Sequence, residues 1–163
     1  MSKWPKPTES APTTFGGLSR SSLMSLIRGK GSKTTEMKLS RLLREARLKG
    51  WRRHLPLPGK PDFAWLQSKV AVFVDGCFWH GHDCGRNLTP KSNAERWREK
   101  ILKNKKRDRK VVRELRNEGW SVIRIWECEL AKNPDQCLRR IKRVLTLRCK
   151  DLEGHQPHIK NSN

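Results

Sequence analysis

The sequence predicts an α/β domain, a mixed β-sheet flanked by helices. Val70-Ala71-Val72-Phe73-Val74 is a nearly continuous apolar run, the mark of a central strand buried on both faces. Apolar residues at helical spacing stand on either side of it. The elements follow the order helix, three strand-like segments, helix, strand, helix, which suits a sheet covered by helices.

Residues 1–18 carry Pro5, Pro7 and Pro12 with scattered Ser and Thr, and read as a disordered basic arm. A folded domain is expected over 19–149 and a polar, disordered tail over 150–163. Ser21–Arg28 fits a short helix ending at Gly29-Lys30-Gly31. Thr34 can cap a second helix with Glu36 in its first turn, an apolar stripe of Leu39, Leu42, Leu43 and Ala46, and a stop at Gly50. His54–Leu57 is the weakest of the strand-like segments. The turn chemistry of Pro56–Pro61 delivers Asp62 to the head of a short strand, Phe63–Leu66, and Gln67-Ser68-Lys69 turns the chain into the central strand. Ser92-Asn93-Ala94-Glu95 reads as a capping box opening a long helix to about Glu118, with Gly119 as its stop. The inward stripe of that helix, Trp97, Ile101, Asn104, Asp108, Val111 or Val112 and Leu115, is interrupted by two polar residues, so its N-terminal half is expected to face something wet. Trp120–Trp126 is a further strand. Asn133-Pro134 opens a last helix with Leu138, Ile141, Val144 and Leu145 inside.

The 163 residues include 37 Lys and Arg against 16 Asp and Glu, a formal net charge of +21. That charge on one small domain points to a polyanion, most economically nucleic acid. No stretch approaches the roughly 20 apolar residues of a membrane span, and the N-terminus lacks the apolar run of a secretory signal. A soluble, cytoplasmic protein is expected. Five Cys, an odd number, argue for metal binding or free thiols rather than a disulfide framework.

The densest chemistry lies directly after the central strand, where open sheets build their sites. Cys77, His82 and Cys84 offer two thiolates and an imidazole within a single loop, and Cys128, after the Trp120–Trp126 strand, is the natural fourth ligand. Three Cys and one His make a closed tetrahedral set of the structural zinc type. Asp62 begins one strand and Asp75 ends its neighbour, so the two can pair as carboxylates for Mg²⁺ beside a phosphate, with Glu36 on the preceding helix. Trp97, Lys100, Lys103, Asn104, Lys105, Lys106, Arg107 and Arg109 give the long helix a basic wall suited to phosphates. Phe78 and Trp79 sit in the metal loop, where aromatics can wedge between bases or pack around zinc.

Pro58-Gly59-Lys60-Pro61-Asp62-Phe63, the run from Val72 through Gly76-Cys77-Phe78-Trp79-His80-Gly81-His82-Asp83-Cys84, Trp97–Ile101 with Lys103-Asn104, and Gly119-Trp120 through Trp126-Glu127-Cys128 resemble very-short-patch repair (Vsr-type) DNA mismatch endonucleases. The likeness runs from about Ser19 to Leu145. It implies a fold related to type II restriction endonucleases and a nick 5′ of the thymine in a T:G mismatch, left when 5-methylcytosine deaminates. By resemblance, Asp62 is the principal Mg²⁺ ligand with the Val74 carbonyl as a second, His80 is the catalytic histidine, and Glu36 orients the site. Zinc falls to Cys77, His82, Cys84 and Cys128. Phe78, Trp79 and Trp97 form an aromatic wedge with Met24 opposite, and Lys100 and Asn104 contact the mismatched pair, which would account for the polar break in the helix stripe. The partner implied is double-stranded DNA with a T:G mismatch, met by a monomer.

Two positions depart from the family pattern. Val74-Asp75 stands where Thr-His is found, so a carboxylate replaces a histidine and Asp75 becomes a candidate metal ligand. Restriction-type nucleases carry a Lys where this chain has Cys77, which leaves His80 as the general acid or base. The rival readings are a restriction-like or general repair nuclease of the same fold, and a catalytically silent zinc DNA-binding module.

Overall fold

The computed structural model describes residues 34–85 and 93–153. Helix α1 (described over 34–45) leads into a four-stranded sheet: β1 (Trp51–Arg52), β2 (Phe63–Trp65), β3 (Val70–Asp75) and, after helix α2 (Ala94–Asn117), β4 (Ser121–Trp126). Helices α3 (Glu127–Lys132) and α4 (Pro134–Glu153) follow. The strands lie in the order β1-β2-β3-β4. Both β1–β2 and β2–β3 are antiparallel, whereas β3 and β4 run parallel with α2 as the crossover, so the sheet is mixed. The arm at 1–18, the helix at Ser21–Arg28 and Met24 lie outside the described residues.

All six residues of β3 are buried, as its apolar run requires of a strand covered on both faces. On one face Val70, Val72 and Val74 join Leu39 and Leu43 of α1 and Cys137 and Ile141 of α4. On the other, Ala71 and Phe73 pack against Leu115 of α2 and Trp120. Alternate side chains of one strand thus feed two cores, and the ends of β3 and β4 are held between helices.

Helix α1 stops earlier than Gly50. Arg47 takes a left-handed backbone (φ 54), its N–H bonds to Arg44 O at 2.9 Å and that of Leu48 to Leu43 O at 3.0 Å, a Schellman closure built without glycine. The stop of α2 uses the same geometry at Gly119 (φ 81), as expected. At its start Asn93 is the N-cap, left-handed and without a side-chain capping bond, and Ser92, from which a capping box is expected, lies outside the described residues. The first strand is also displaced. His54 is left-handed (φ 49), which ends extended pairing before 54–57, and the strand is Trp51–Arg52, anchored where Trp51 meets Phe63 edge-on at 5.3 Å. Helix α3, six residues long, is too short to show a period in sequence; Glu129 reaches back to the Trp126 N–H at 3.4 Å to close its first turn. Helix α4 continues to Glu153, so 150–153 are helical rather than part of a tail. Among the described residues no helix is long and apolar enough to cross a membrane.

Candidate active site and metal centre

Three clusters meet at the carboxyl ends of β3 and β4. In the first, Asp62 enters β2 while its Oδ2 accepts the Val74 N–H at 2.7 Å, which fixes the carboxylate against the end of β3. Glu36 of α1, only 7% exposed, carries Arg53 on its Oε2, and His54 Nε2 stands 3.8 Å from the same oxygen. The donor atoms of Glu36, His54 and Asp62 all lie within 4.8 Å of one another. Burial pushes the Asp62 carboxyl up to about 6. Glu36 and Asp75 add to the rise, opposed by the Val74 N–H and by His54. A carboxylate so disfavoured in its charged form is one that a cation would relieve. His54 was not read from sequence as a site residue; only its left-handed turn brings it beside Glu36.

Asp75 does not complete that carboxylate set. Pairing of β3 with β4 puts Arg124 opposite Phe73, and its Nε donates to Asp75 Oδ2 at 2.5 Å. Asp75 is 4% exposed, and its other oxygen lies 3.5 Å from His80 Nε2. Asp75 is thus held in a salt bridge, because the neighbouring strand supplies a guanidinium at that place. The Arg124 Nη2 continues to Asp108 Oδ2 at 3.0 Å, and Asp108 Oδ2 takes His80 Nδ1 at 2.5 Å. Burial alone would raise the Asp108 carboxyl, but the bonds and charges of His80 and Arg124 outweigh it and hold it below the usual range. Burial likewise disfavours the Arg124 cation, and Asp75 and Asp108 more than restore it. Asp108 is one of the two polar interruptions in the α2 stripe; what it faces is His80.

The third cluster is the loop after β3. His82 N–H bonds Cys77 O at 2.9 Å and Cys84 N–H bonds His82 O at 3.1 Å, a tight coil that turns the donors of Cys77, His82 and Cys84 inward to meet Cys128 from the first turn of α3. These four donors also lie within 4.8 Å of one another. Cys128 Sγ and His82 Nδ1 are 3.4 Å apart. Sulfur and nitrogen ligands on a tetrahedral zinc, at about 2.3 and 2.0 Å from the metal, stand about 3.5 Å from each other, so the residues fit that ion. His82 is further fixed by stacking on Trp126 at 4.2 Å and 4°. Gly81 has φ +60, and a Cβ there would meet Ile101 Cγ2 at 2.5 Å and Lys105 Cε at 2.7 Å. Gly81→Ala is therefore expected to destabilise the loop by about 1–3 kcal/mol, read as a lowered melting temperature at saturating zinc; an unchanged melt would refute this packing.

The aromatic residues assemble beside these clusters. Phe78, Trp79 and Trp97 meet edge to face with centroids 4.8, 5.2 and 5.7 Å apart, and Lys100 Nζ lies 5.4 Å from both indoles. The Asn104 amide donates to Trp79 O at 2.8 Å. Its donor thus holds the aromatic loop, which accounts for the second polar interruption of the α2 stripe.

Residues 14–86 match the family described as DNA mismatch endonuclease Vsr. Relatives include the type II nicking enzyme V.NmeAIP of Neisseria meningitidis, 48% identical over 87 residues (53% of this chain, 61% of the relative). The DNA mismatch endonuclease Vsr of Escherichia coli is 45% identical over 74 residues (45% and 47%). The type II nicking enzyme V.NaeI of Lentzea aerocolonigenes is 49% identical over 71 residues (43% and 42%). The matched part covers less than two thirds of each relative's own length. It holds Glu36, Asp62, Asp75 and the loop through Cys84, whereas Asp108, Arg124 and Cys128 fall beyond residue 86. Residues 14–86 of this chain are thus similar to the Vsr-type DNA mismatch endonucleases.

Proposed function

We propose that the chain is a Mg²⁺-dependent DNA endonuclease that nicks one strand 5′ of the thymine in a T:G mismatch, in repair of deaminated 5-methylcytosine, and that it carries a structural zinc. The observation that carries this reading is a single line of contacts. Asp62 binds the Val74 N–H, Asp75 is the next residue, and His80 stands against Asp75 with its far nitrogen held by Asp108. A buried carboxylate and an oriented imidazole therefore share one edge of the sheet, beside an aromatic cluster.

Asp62, with Glu36 and the Val74 carbonyl, would hold Mg²⁺, which supplies charge stabilisation for the phosphoryl oxygens and activates water. His54 is a further donor at that place. Asp108 fixes the His80 ring through Nδ1, and Nε2, 3.5 Å from Asp75 Oδ1, is the nitrogen that would exchange a proton with a reacting oxygen. Arg124 neutralises both acids flanking His80 and keeps Asp75 out of the metal's reach. Phe78, Trp79 and Trp97 present faces for unstacked bases. A mispaired step unstacks more cheaply, by up to a few kcal/mol, which favours entry at a mismatch. In-line attack leaves a 3′-hydroxyl and a 5′-phosphate. Cys77, His82, Cys84 and Cys128 would hold the zinc.

End-labelled duplexes identical except for one T:G or T:A pair, incubated with protein and Mg²⁺ in several flanking sequences, test the reading. A nick only 5′ of the mismatched thymine is expected. Cutting of both duplexes would leave a nuclease without mismatch preference, and cutting of neither would replace the enzyme by a DNA-binding module. For the proton role, His80→Ala should slow single-turnover nicking about 10²- to 10⁴-fold, and Asp108→Asn on the order of a hundredfold. Rates within twofold of the unsubstituted protein would remove that pair from the reaction.

A further inference from the structure

A cleft of about 680 Å³ runs along the C-terminal half of α2, with His80 and Arg124 at its inner end. Lys105, Arg109, Arg113 and Arg116 line its wall. Elsewhere on α2, Lys103 pairs with Glu99 at 2.7 Å and Lys110 reaches Glu114 at 3.7 Å, whereas among the described residues none of the four has an acidic partner within 4 Å. Of the acids in the wall, Asp108 is taken by His80 and Arg124, and Asp83 stands exposed at the rim.

The spacing carries the rest. Lys105, Arg109 and Arg113 follow at i, i+4 and i+8, and Arg116 at a further i+3, so each cation faces the next across one helical turn. Like charges so placed destabilise a helix. An anionic partner with repeated charges removes that repulsion. Lys105, Arg109 and Arg113 stand about 6 Å apart along the axis and Arg116 about 4.5 Å beyond, on the scale of neighbouring phosphates in one DNA strand. The aromatic cluster, Phe78 and Trp79 of the loop with Trp97 of the same helix, lies toward the N-terminal half of α2.

We propose that Lys105, Arg109, Arg113 and Arg116 form a phosphate track that grips the backbone of the DNA flanking the nick. Its placement beside a scissile bond rests on the nicking reading above; its affinity for a phosphate backbone does not.

The test uses the full chain and a labelled duplex, with and without a T:G pair, in buffer lacking Mg²⁺. Each phosphate contact contributes about 0.9 to the slope of log affinity against log salt, so changing all four to Gln should lower that slope by about 3 to 4 on both duplexes. A control carrying Arg139→Gln, Lys142→Gln, Arg143→Gln and Lys150→Gln removes the same charge from exposed positions of α4 and should shift the slope by less than about 1. An unchanged slope, or equal losses in the two variants, overturns the track. Nicking by the unsubstituted protein, measured in parallel, separates the two readings: a selective slope loss without nicking leaves the track and discards the nuclease, whereas nicking with an unchanged slope does the reverse.

Discussion

Asp62→Ala is expected to abolish nicking, with a loss of at least about 10³-fold, because it removes the carboxylate proposed to hold the metal and with it several kcal/mol of charge stabilisation at the phosphate. Duplex binding and zinc content should be unchanged, since Asp62 belongs to neither the aromatic cluster nor the Cys/His set. Single-turnover nicking, binding and metal analysis on one preparation check all three. Residual cutting near the level of the unsubstituted protein would move the catalytic metal elsewhere.

The same residue has a signature that does not depend on catalysis. Its carboxyl is lifted by burial from 3.8 to about 6. The folded chain therefore holds that proton more tightly than the unfolded chain, and the group costs nothing below about pH 4. Its penalty grows between about 4 and 6 and reaches about 3 kcal/mol above, as an upper figure. Asp62→Asn keeps an acceptor for the Val74 N–H without the charge, so without Mg²⁺ it should melt higher than the unsubstituted protein at pH 7. The gap should close as pH falls toward 4. Adding Mg²⁺ at pH 7 should raise only the unsubstituted protein, by mass action on the folded state. A variant that melts lower at pH 7 without Mg²⁺ would contradict the burial argument.

What could be read in advance divides along physical lines. The strand β3 and the helices α2 and α4 declare themselves through apolar runs or stripes long enough to show a period, and the Cys77–His82–Cys84–Cys128 set through ligand chemistry alone. The two-residue β1 and the six-residue α3 carry no period. Arg124 and Asp108 were legible only as anomalies, a cation within the apolar strand Val122–Trp126 and an acid in the stripe of a helix. Their meaning lies in the parallel register of β3 on β4, which sets Arg124 beside Asp75, and in the packing that lowers α2 onto the loop. Such contacts join residues 16 to 49 positions apart, and no local pattern encodes them. Asp62 meets the end of β3 on the Val74 N–H, as the strand order implies, but the salt bridge on Asp75 comes from a third strand, which the sequence of the first two does not reveal.

Cys128→Ser should cost zinc and stability together. Cys128 is the one member of the metal set contributed from outside the loop, so it ties residues 77–84 to the start of α3. Structural zinc contributes about 10–16 kcal/mol of apparent binding free energy in small zinc folds, and that energy is folding energy. A serine oxygen is a poor replacement for a thiolate, so the variant is expected to lose bound zinc and to melt well below the unsubstituted protein, with the deficit widening when a chelator is absent and narrowing when one is present. That convergence identifies the metal as the source of the difference, because a mere packing defect at Cys128 would persist in chelator. The loss should spread to function along a defined route. His80 lies within the loop, between Cys77 and His82, and its ring is positioned by the same coil that turns the metal donors inward. Nicking should therefore fall with zinc occupancy while the Asp62 signature with pH survives, since Asp62 is held by the Val74 N–H and not by the loop. Full zinc content with an unaltered melt would refute the ligand role of Cys128.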